Sequence, residues 1–292
     1  MEVGVRIPFF SVITVVRNEK DSILKTLQSV KDQGTYSSPE LIIEHVLVDG
    51  LSTDGTALAI EEFIASNTTC PQIIYNYVSE MDSGIYDAMD KGRSMASGRF
   101  IFFLNAGDKF SSNDVLNQTY ESILQVENLD LIFYGSVNIN SELTHWKRPA
   151  VRPDSRIHQI DNINRLPHHQ SIFYPRSFYS NHKYDIHFIK YGDTDYTLRA
   201  CQQFYAYYLD LEITSVTLGG FSTKKHTFKE AYKIYLDFQR LSSRHPSSFS
   251  ILERLLKPIS FILKFLLDMV GGARLKHWAM KNIYKIRQNR KS

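Results

Sequence analysis

Val48-Asp49-Gly50-Leu51-Ser52-Thr53-Asp54-Gly55-Thr56 ends an apolar run over residues 41–48 and precedes Leu58, Ile60, Phe63 and Ile64 at helical spacing. A buried strand, two glycines and an Asp ahead of an apolar-periodic segment predict a strand-to-helix turn, with Asp54 as the helix cap. That reading leaves Asp49 unexplained. It stands at the carboxyl end of the strand, where open α/β sheets bind their ligands.

The pattern repeats on both sides. Residues 9–16 are apolar and β-branched, and a helix is predicted over 19–33 with Ile23, Leu24, Leu27 and Val30 on one face. Downstream, residues 72–78 read as a strand, 85–96 as a helix and 99–104 as a strand. Alternating strands and helices predict an α/β fold with a mainly parallel sheet flanked by helices. Three successive strand ends then direct acids at one crevice: Asp49, Asp82 and the run Asn105 to Asp108. After residues 130–137 the pattern loosens, and 138–167 is polar and punctuated by Pro. Order returns with a strand at 171–174, a helix near 194–203, strands within 206–218 and a helix over 228–241. Residues 242–250, with Pro246 and several Ser, read as a linker.

Composition narrows the classes. The chain has 292 residues, 43% hydrophobic and 22% charged, enough for one large core or two modest ones. Cys70 and Cys201 are its only cysteines, which excludes a disulfide framework or cysteine-rich zinc site and fits a reducing cytoplasm. The N-terminus runs straight into a strand, so no signal peptide is expected. No apolar run reaches the roughly 20 residues that span a bilayer. A net charge of +3 gives no reason to expect nucleic acid.

Ser11 to Glu19 (Ser-Val-Ile-Thr-Val-Val-Arg-Asn-Glu), followed by Val48 to Gly55, resembles the opening of family 2 glycosyltransferases, which adopt the GT-A nucleotide-sugar fold, a Rossmann-like sheet flanked by helices. The resemblance continues through Asp82-Ser-Gly-Ile-Tyr-Asp-Ala-Met-Asp-Lys-Gly92, Ala96-Ser-Gly98, Leu104-Asn-Ala-Gly-Asp108, His169-Gln170-Ser171 and Gly192-Asp-Thr-Asp-Tyr-Thr-Leu-Arg199. Its order and spacing make it specific, and it covers about residues 9 to 220.

The resemblance implies a nucleotide-sugar donor. Asp49 would bind the base edge, with Thr14, Val16 and Glu19 lining the nucleoside pocket. Asp82 would lie near the ribose, and Asp87 and Lys91 would face the phosphates or sugar; the last two are also spaced as an i,i+4 surface ion pair. Family members carry an Asp-x-Asp element where this chain has Asn105, Ala106 and Gly107 before Asp108. Metal use, Mg²⁺ or Mn²⁺, would therefore rest on Asp108 alone and arrive together with the nucleotide. Inverting transfer needs one general base. The family's Glu-Asp pair before a helix places it at Asp193, with Gly192 in place of the Glu; Asp193 is equally suited to cap that helix, and Asp195 is the weaker candidate. His169 and Gln170 are either structural or in contact with the diphosphate or acceptor. Arg199 is either an ion-pair partner or a phosphate ligand. The loop Gly219 to Ser222 would border the acceptor pocket.

The resemblance thus implies a GT-A domain over residues 1–245, transferring a sugar to a glycan or lipid-linked glycan precursor of O-antigen, capsule or exopolysaccharide. Residues 246–292 are separate. Ile259, Ile262, Leu263, Leu266 and Leu267 share one helical face, as do Leu275, Trp278, Ala279, Ile283 and Ile286, and seven Lys or Arg with no acid lie between Arg274 and Lys291. Basic amphipathic helices with a Trp suit an anionic membrane surface, here the inner face of the cell membrane; packing on the domain or a homo-oligomer interface is the alternative. A nucleotidyltransferase would want a Gly-rich basic loop after the first strand, where Arg17-Asn18-Glu19 leads into a helix. A nucleotide-sugar-binding or scaffolding protein without turnover is the rival outside catalysis.

Overall fold

The computed structural model describes residues 7–35, 38–140, 145–149, 153–217, 227–251, 253 and 254. Both C-terminal helices and the loop Gly219 to Ser222 lie outside the described residues.

The first half alternates as its sequence predicts. Strand β1 (Phe10–Val16), helix α1 (Lys20–Thr35), β2 (Ile43–Asp49), α2 (Thr56–Ser66), β3 (Ile73–Ser79), α3 (Ile85–Met95) and β4 (Phe100–Phe103) form a parallel unit ordered β3-β2-β1-β4. Every residue of β1 and β2 is buried, as expected of central strands covered on both faces. Alternation sends Phe10 and Val12 to one core and Ile13 and Val15 to the other.

Past β4 come β5 (Lys109–Phe110), α4 (Val115–Leu124), β6 (Ile132–Asn140), β7 (His145–Arg148), β8 (Ile157–His158), β9 (Ile172–Pro175), α5 (Arg176–Tyr179), α6 (Gly192–Gln203), β10 (Ala206–Thr217) and α7 (Phe228–Arg244). The sheet continues β4-β9-β6-β10-β5, with β9 antiparallel to both neighbours and β6 parallel to β10. The strands predicted within 206–218 are one strand. Asp210 at φ 56° and two register shifts against β6 break its alternation.

The motif Ala96-Ser97-Gly98 closes the step from α3 to β4. Buried Glu44 accepts from Ser97 N–H at 2.8 Å and from Ser11 Oγ–H, whose oxygen takes Gly98 N–H at 2.8 Å. A methyl group on Gly98 would stand 2.7 Å from the Ser11 backbone nitrogen, so only glycine fits. The predicted linker at 242–250 is packed instead. Helix α7 runs on to Arg244, a 3₁₀ turn follows at Pro246–Ser248, and Ser242, His245, Ser248 and Phe249 are buried. Its Ser and Pro content reflects a turn that folds back, with Phe249 edge-on to Phe238 at 5.5 Å.

Candidate active site

The carboxyl ends of β1, β2, β3 and β4 open on one crevice. The loop after β1 is pinned to the loop after β2: Asn18 N–H donates to Ser52 Oγ at 2.8 Å, and Thr53 N–H to Asn18 Oδ1 at 2.8 Å. Asn18 (φ 53°) and Leu51 (φ 51°) both adopt left-handed backbone there, a conformation that stores strain for most side chains and clusters at functional sites. Gly55 holds the cap position of α2, and Asp54, expected as the cap residue, takes Thr56 N–H at 3.0 Å from one position back.

Several expected donor ligands are turned inward. Asp49 is fully buried; its carboxylate takes Ser52 N–H at 3.0 Å, Ser52 Oγ–H and Ser79 Oγ–H at 2.6 Å. It organises the loop and offers no open edge to a base. Thr14 is also buried, its Oγ1 3.0 Å from His45 Nε2, because strand alternation points it under the sheet; burial holds His45 neutral with a pKa of about 3. Val16 packs with Ile23, Leu27, Leu47 and Ile60, and its carbonyl takes Gly50 N–H at 2.9 Å. Glu19 is exposed and takes Ser22 Oγ–H at 2.7 Å.

Above Gly50 the crevice has polar walls. A methyl group at Gly50 would overlap the Asp82 carboxylate and stand 3.3 Å from Arg17 Cδ. Asp82, exposed Arg17 and Gly50 thus meet where β1, β2 and β3 end. Asp87 and Lys91 brace the neighbouring loop: Asp87 takes Ser83 N–H at 2.8 Å, a bond that lowers its pKa, and Lys91 pairs with Glu80 at 2.9 Å and Asp87 at 3.7 Å. The surface ion-pair reading of this couple accounts for its contacts.

Asp108 departs from expectation. It is 8% exposed, and its two oxygens take Gln170 Nε2–H at 2.8 Å and Thr217 N–H at 3.0 Å, while burial pushes its pKa up. Gln170, 1% exposed, also takes Asn105 N–H at 2.9 Å. Its backbone carbonyl takes Thr214 Oγ–H at 2.6 Å, so Gln170 clasps the β4 end to β10. Asp108 is a single buried carboxylate with one donor on each oxygen, and among the described residues no group of three or more His, Cys, Asp or Glu could hold a metal ion. These residues do not make a protein-borne metal site.

The helix α6 separates its two acids. Tyr196 anchors it, stacked on Tyr184 at 4.1 Å and edge-on to Tyr174 and Phe178. Asp195 is fully buried and holds Arg199 Nε at 2.9 Å, Arg244 Nη1 at 3.1 Å and His245 Nε2 at 2.9 Å. It ties α6 to α7, and Arg199 is its partner rather than a phosphate ligand. Asp193, with its side chain 27% exposed, pairs with His169 Nδ1 at 3.2 Å. Burial works to raise its pKa, but the hydrogen bonds of His169 and Thr194 N–H oppose it, and the carboxyl stands below its ordinary value. Its place in the first turn of α6 favours the same ionised form.

Tyr86 was not singled out by the sequence, although it lies inside a quoted motif. Its hydroxyl donates to Asp193 Oδ1 at 3.3 Å. A methyl group on Gly192 would lie 2.7 Å from its ring, so the ring fills the space where the family carries Glu. Asn105 closes the chain on the other side, its Nδ2 3.5 Å from His169 Nε2. A polar line, Asn105–His169–Asp193–Tyr86, thus links β4, the turn before β9, α6 and α3 along the crevice.

The family model for glycosyl transferase family 2 matches residues 11–182, more than half of the chain. The chain belongs to this family. It is 32% identical over 195 residues, 66% of this chain and 69% of the other, to a PGL/p-HBAD biosynthesis glycosyltransferase of Mycobacterium bovis. Of other curated relatives that it matches, it spans 40% of the length. Two solved structures share the fold at 15% identity. S. aureus TarS 1-349 in complex with UDP-GlcNAc superposes with a TM-score of 0.58, over 93% of this chain and 75% of that one. A mannosyltransferase from Pyrobaculum calidifontis, in complex with GDP-Man and Mn²⁺, does so at 0.56, over 97% and 83%. The GT-A architecture of the family is therefore that of this chain.

Proposed function

We propose that this glycosyltransferase moves a sugar from a nucleotide donor to a hydroxyl of a glycan or lipid-linked glycan precursor, with inversion, and that Asp193 is the general base. The observation that carries this reading is the contrast within α6: Asp193 is ionised, partly exposed and on the crevice, whereas Asp195 is sealed by three cationic or imidazole partners. In a single displacement the acceptor O–H proton passes to Asp193. The acceptor oxygen bonds the anomeric carbon, and the bond from that carbon to the diphosphate oxygen breaks, its electron pair leaving with the diphosphate.

The donor is assigned to the space above Gly50, with Asp82 and Arg17 as its polar walls. A uridine diphosphate sugar is favoured by the UDP-GlcNAc held in the S. aureus relative. Bacterial surface glycan synthesis is favoured by the M. bovis relative's named pathway. A divalent cation enters only with the donor diphosphate, because Asp108 is a lone, buried carboxylate without a second acid beside it. Thermal shift tests donor and cation together. A UDP-sugar with Mn²⁺ should raise the apparent melting temperature more than the GDP-sugar does, and Mn²⁺ alone should leave it unchanged. Stabilisation by Mn²⁺ alone would contradict this arrangement. The lone, buried Asp108 is also the observation on the side of a binding protein without turnover. Donor consumption that depends on acceptor separates the two.

A further inference from the structure

The ring of His169 lies between Asn105 and Asp193, with its side chain 15% exposed, and the two Asp193 oxygens are unequally used. Oδ1 takes Thr194 N–H at 2.8 Å and Tyr86 O–H at 3.3 Å. Among the described residues Oδ2 takes His169 alone, at 3.2 Å. A carboxylate oxygen has two acceptor directions, so Oδ2 is the oxygen with one left for an incoming hydroxyl. His168 lies against the other face of the ring, the two imidazoles stacked at 4.7 Å and 27°. Its Nδ1 accepts Gln170 N–H at 3.3 Å, which fixes it to the turn that carries His169. Asn105 Nδ2 can only donate toward His169 Nε2, and that assigns the remaining imidazole proton to Nδ1, facing Asp193.

We propose that His169 is the positioning residue of the base: its Nδ1–H holds Asp193 Oδ2 so that the free acceptor direction of that oxygen faces the acceptor hydroxyl. This inference rests on Asp193 being the base. The proton taken from the acceptor goes to Asp193 Oδ2, and His169 keeps its own. The arrangement inverts the familiar division of labour in hydrolytic triads, where a carboxylate orients a histidine that does the proton transfer. It also gives His169 a use that needs no contact with the donor.

Other charged or titratable groups face the pair. Tyr86 lies on α3, and burial keeps its phenol neutral well above the ordinary range. Tyr191 precedes α6, Asp108 lies on the β4 side, and Arg148 acts on His168 from β7. Among them the hydrogen bond of His169 lowers the Asp193 pKa most. Losing the imidazole therefore moves the acid limb of the rate profile to higher pH.

The test compares H169A and H169N with the intact chain in steady-state transfer across pH. Asn presents its amide N–H near the position of Nδ1, so it can replace that donor. H169A should lose about 10–100-fold in kcat, the usual cost of removing an orienting hydrogen bond, with donor KM within about twofold. Its acid limb should move to higher pH. H169N should recover most of kcat. If H169A keeps kcat and its acid limb, or if donor KM rises while kcat stands, His169 is not a positioning residue. Failure of H169N to recover, in a variant with the intact chain's melting temperature and nucleotide binding, also overturns the proposal. D193N, run alongside, separates the two claims: an inactive D193N with an unaffected H169A leaves the base standing and removes only the role of His169.

Discussion

A carboxylate at the start of a helix meets unpaired N–H groups and the positive end of the dipole, so both Asp193 and Asp195 are predisposed to ionise. Their surroundings then divide them. Asp195 has exchanged water for Arg199, Arg244 and His245, and breaking such a buried set leaves charges without partners. Asp195→Ala should therefore cost about 3–5 kcal/mol of stability, measured by urea unfolding. Burial opposes ionisation of Asp195, but His245, Arg199 and Arg244 bring its folded pKa below the ordinary carboxylate value. Its stabilisation is present above that ordinary value and is lost as pH falls through the folded one, so acid should narrow the gap between intact chain and variant. Gly50 makes a complementary case. Its Cβ would displace the Asp82 carboxylate, a flexible end that can swing aside. Gly50→Ala should keep the melting temperature nearly unchanged while raising donor KM several-fold, about 1 kcal/mol of binding. Unchanged donor KM would remove Asp82 from the donor site.

The elements legible in the sequence are those whose neighbours are supplied by the chain's own alternation. β1 to β4 are buried apolar runs separated by amphipathic helices, and parallel crossovers leave that signature plainly. β7 and β8 are short edge strands defined by pairing with β6 and β10. Their residues carry no period of their own, so 138–167 gives little warning of them. The same limit applies to the site. Asp193 and His169 could be singled out because they stand in ordered motifs. Asp49, Thr14 and Val16 lie at strand ends as expected, but their burial and partners could not be read from the sequence. Alternation across a doubly covered sheet turns Thr14 and Val16 under the surface, and two serines close over Asp49. Gln170 and Tyr86 depend on contacts 62 and 107 residues away in the chain, beyond any local pattern.

The whole molecule carries 34 basic and 31 acidic residues, and the excess is concentrated near the C-terminus. Among the described residues no helix is long and apolar enough to cross a membrane. We propose that the basic amphipathic segment over residues 259–292 attaches the enzyme to an anionic membrane surface on the cytoplasmic side, where a lipid-linked acceptor would be met. Replacing Arg274, Lys276, Lys281 and Lys285 by Gln should sharply weaken co-sedimentation with anionic vesicles, at roughly 1 kcal/mol per charge, and salt should weaken it in the intact chain. Indifference of the intact chain to such vesicles at low salt would favour an oligomer interface instead.

The body that presents the crevice is held by α6, and α6 carries both the structural acid and the proposed base. The decisive comparison is the transfer rate of Asp193→Asn against Asp195→Asn, with nucleotide binding measured on each. Asn at position 193 keeps the shape but cannot take the proton. The expected result is a loss of about 10² or more in kcat for Asp193→Asn with nucleotide affinity intact, and lowered stability with residual turnover for Asp195→Asn. Near-full turnover by Asp193→Asn, beside a folded but inactive Asp195→Asn, would contradict the assignment of the base.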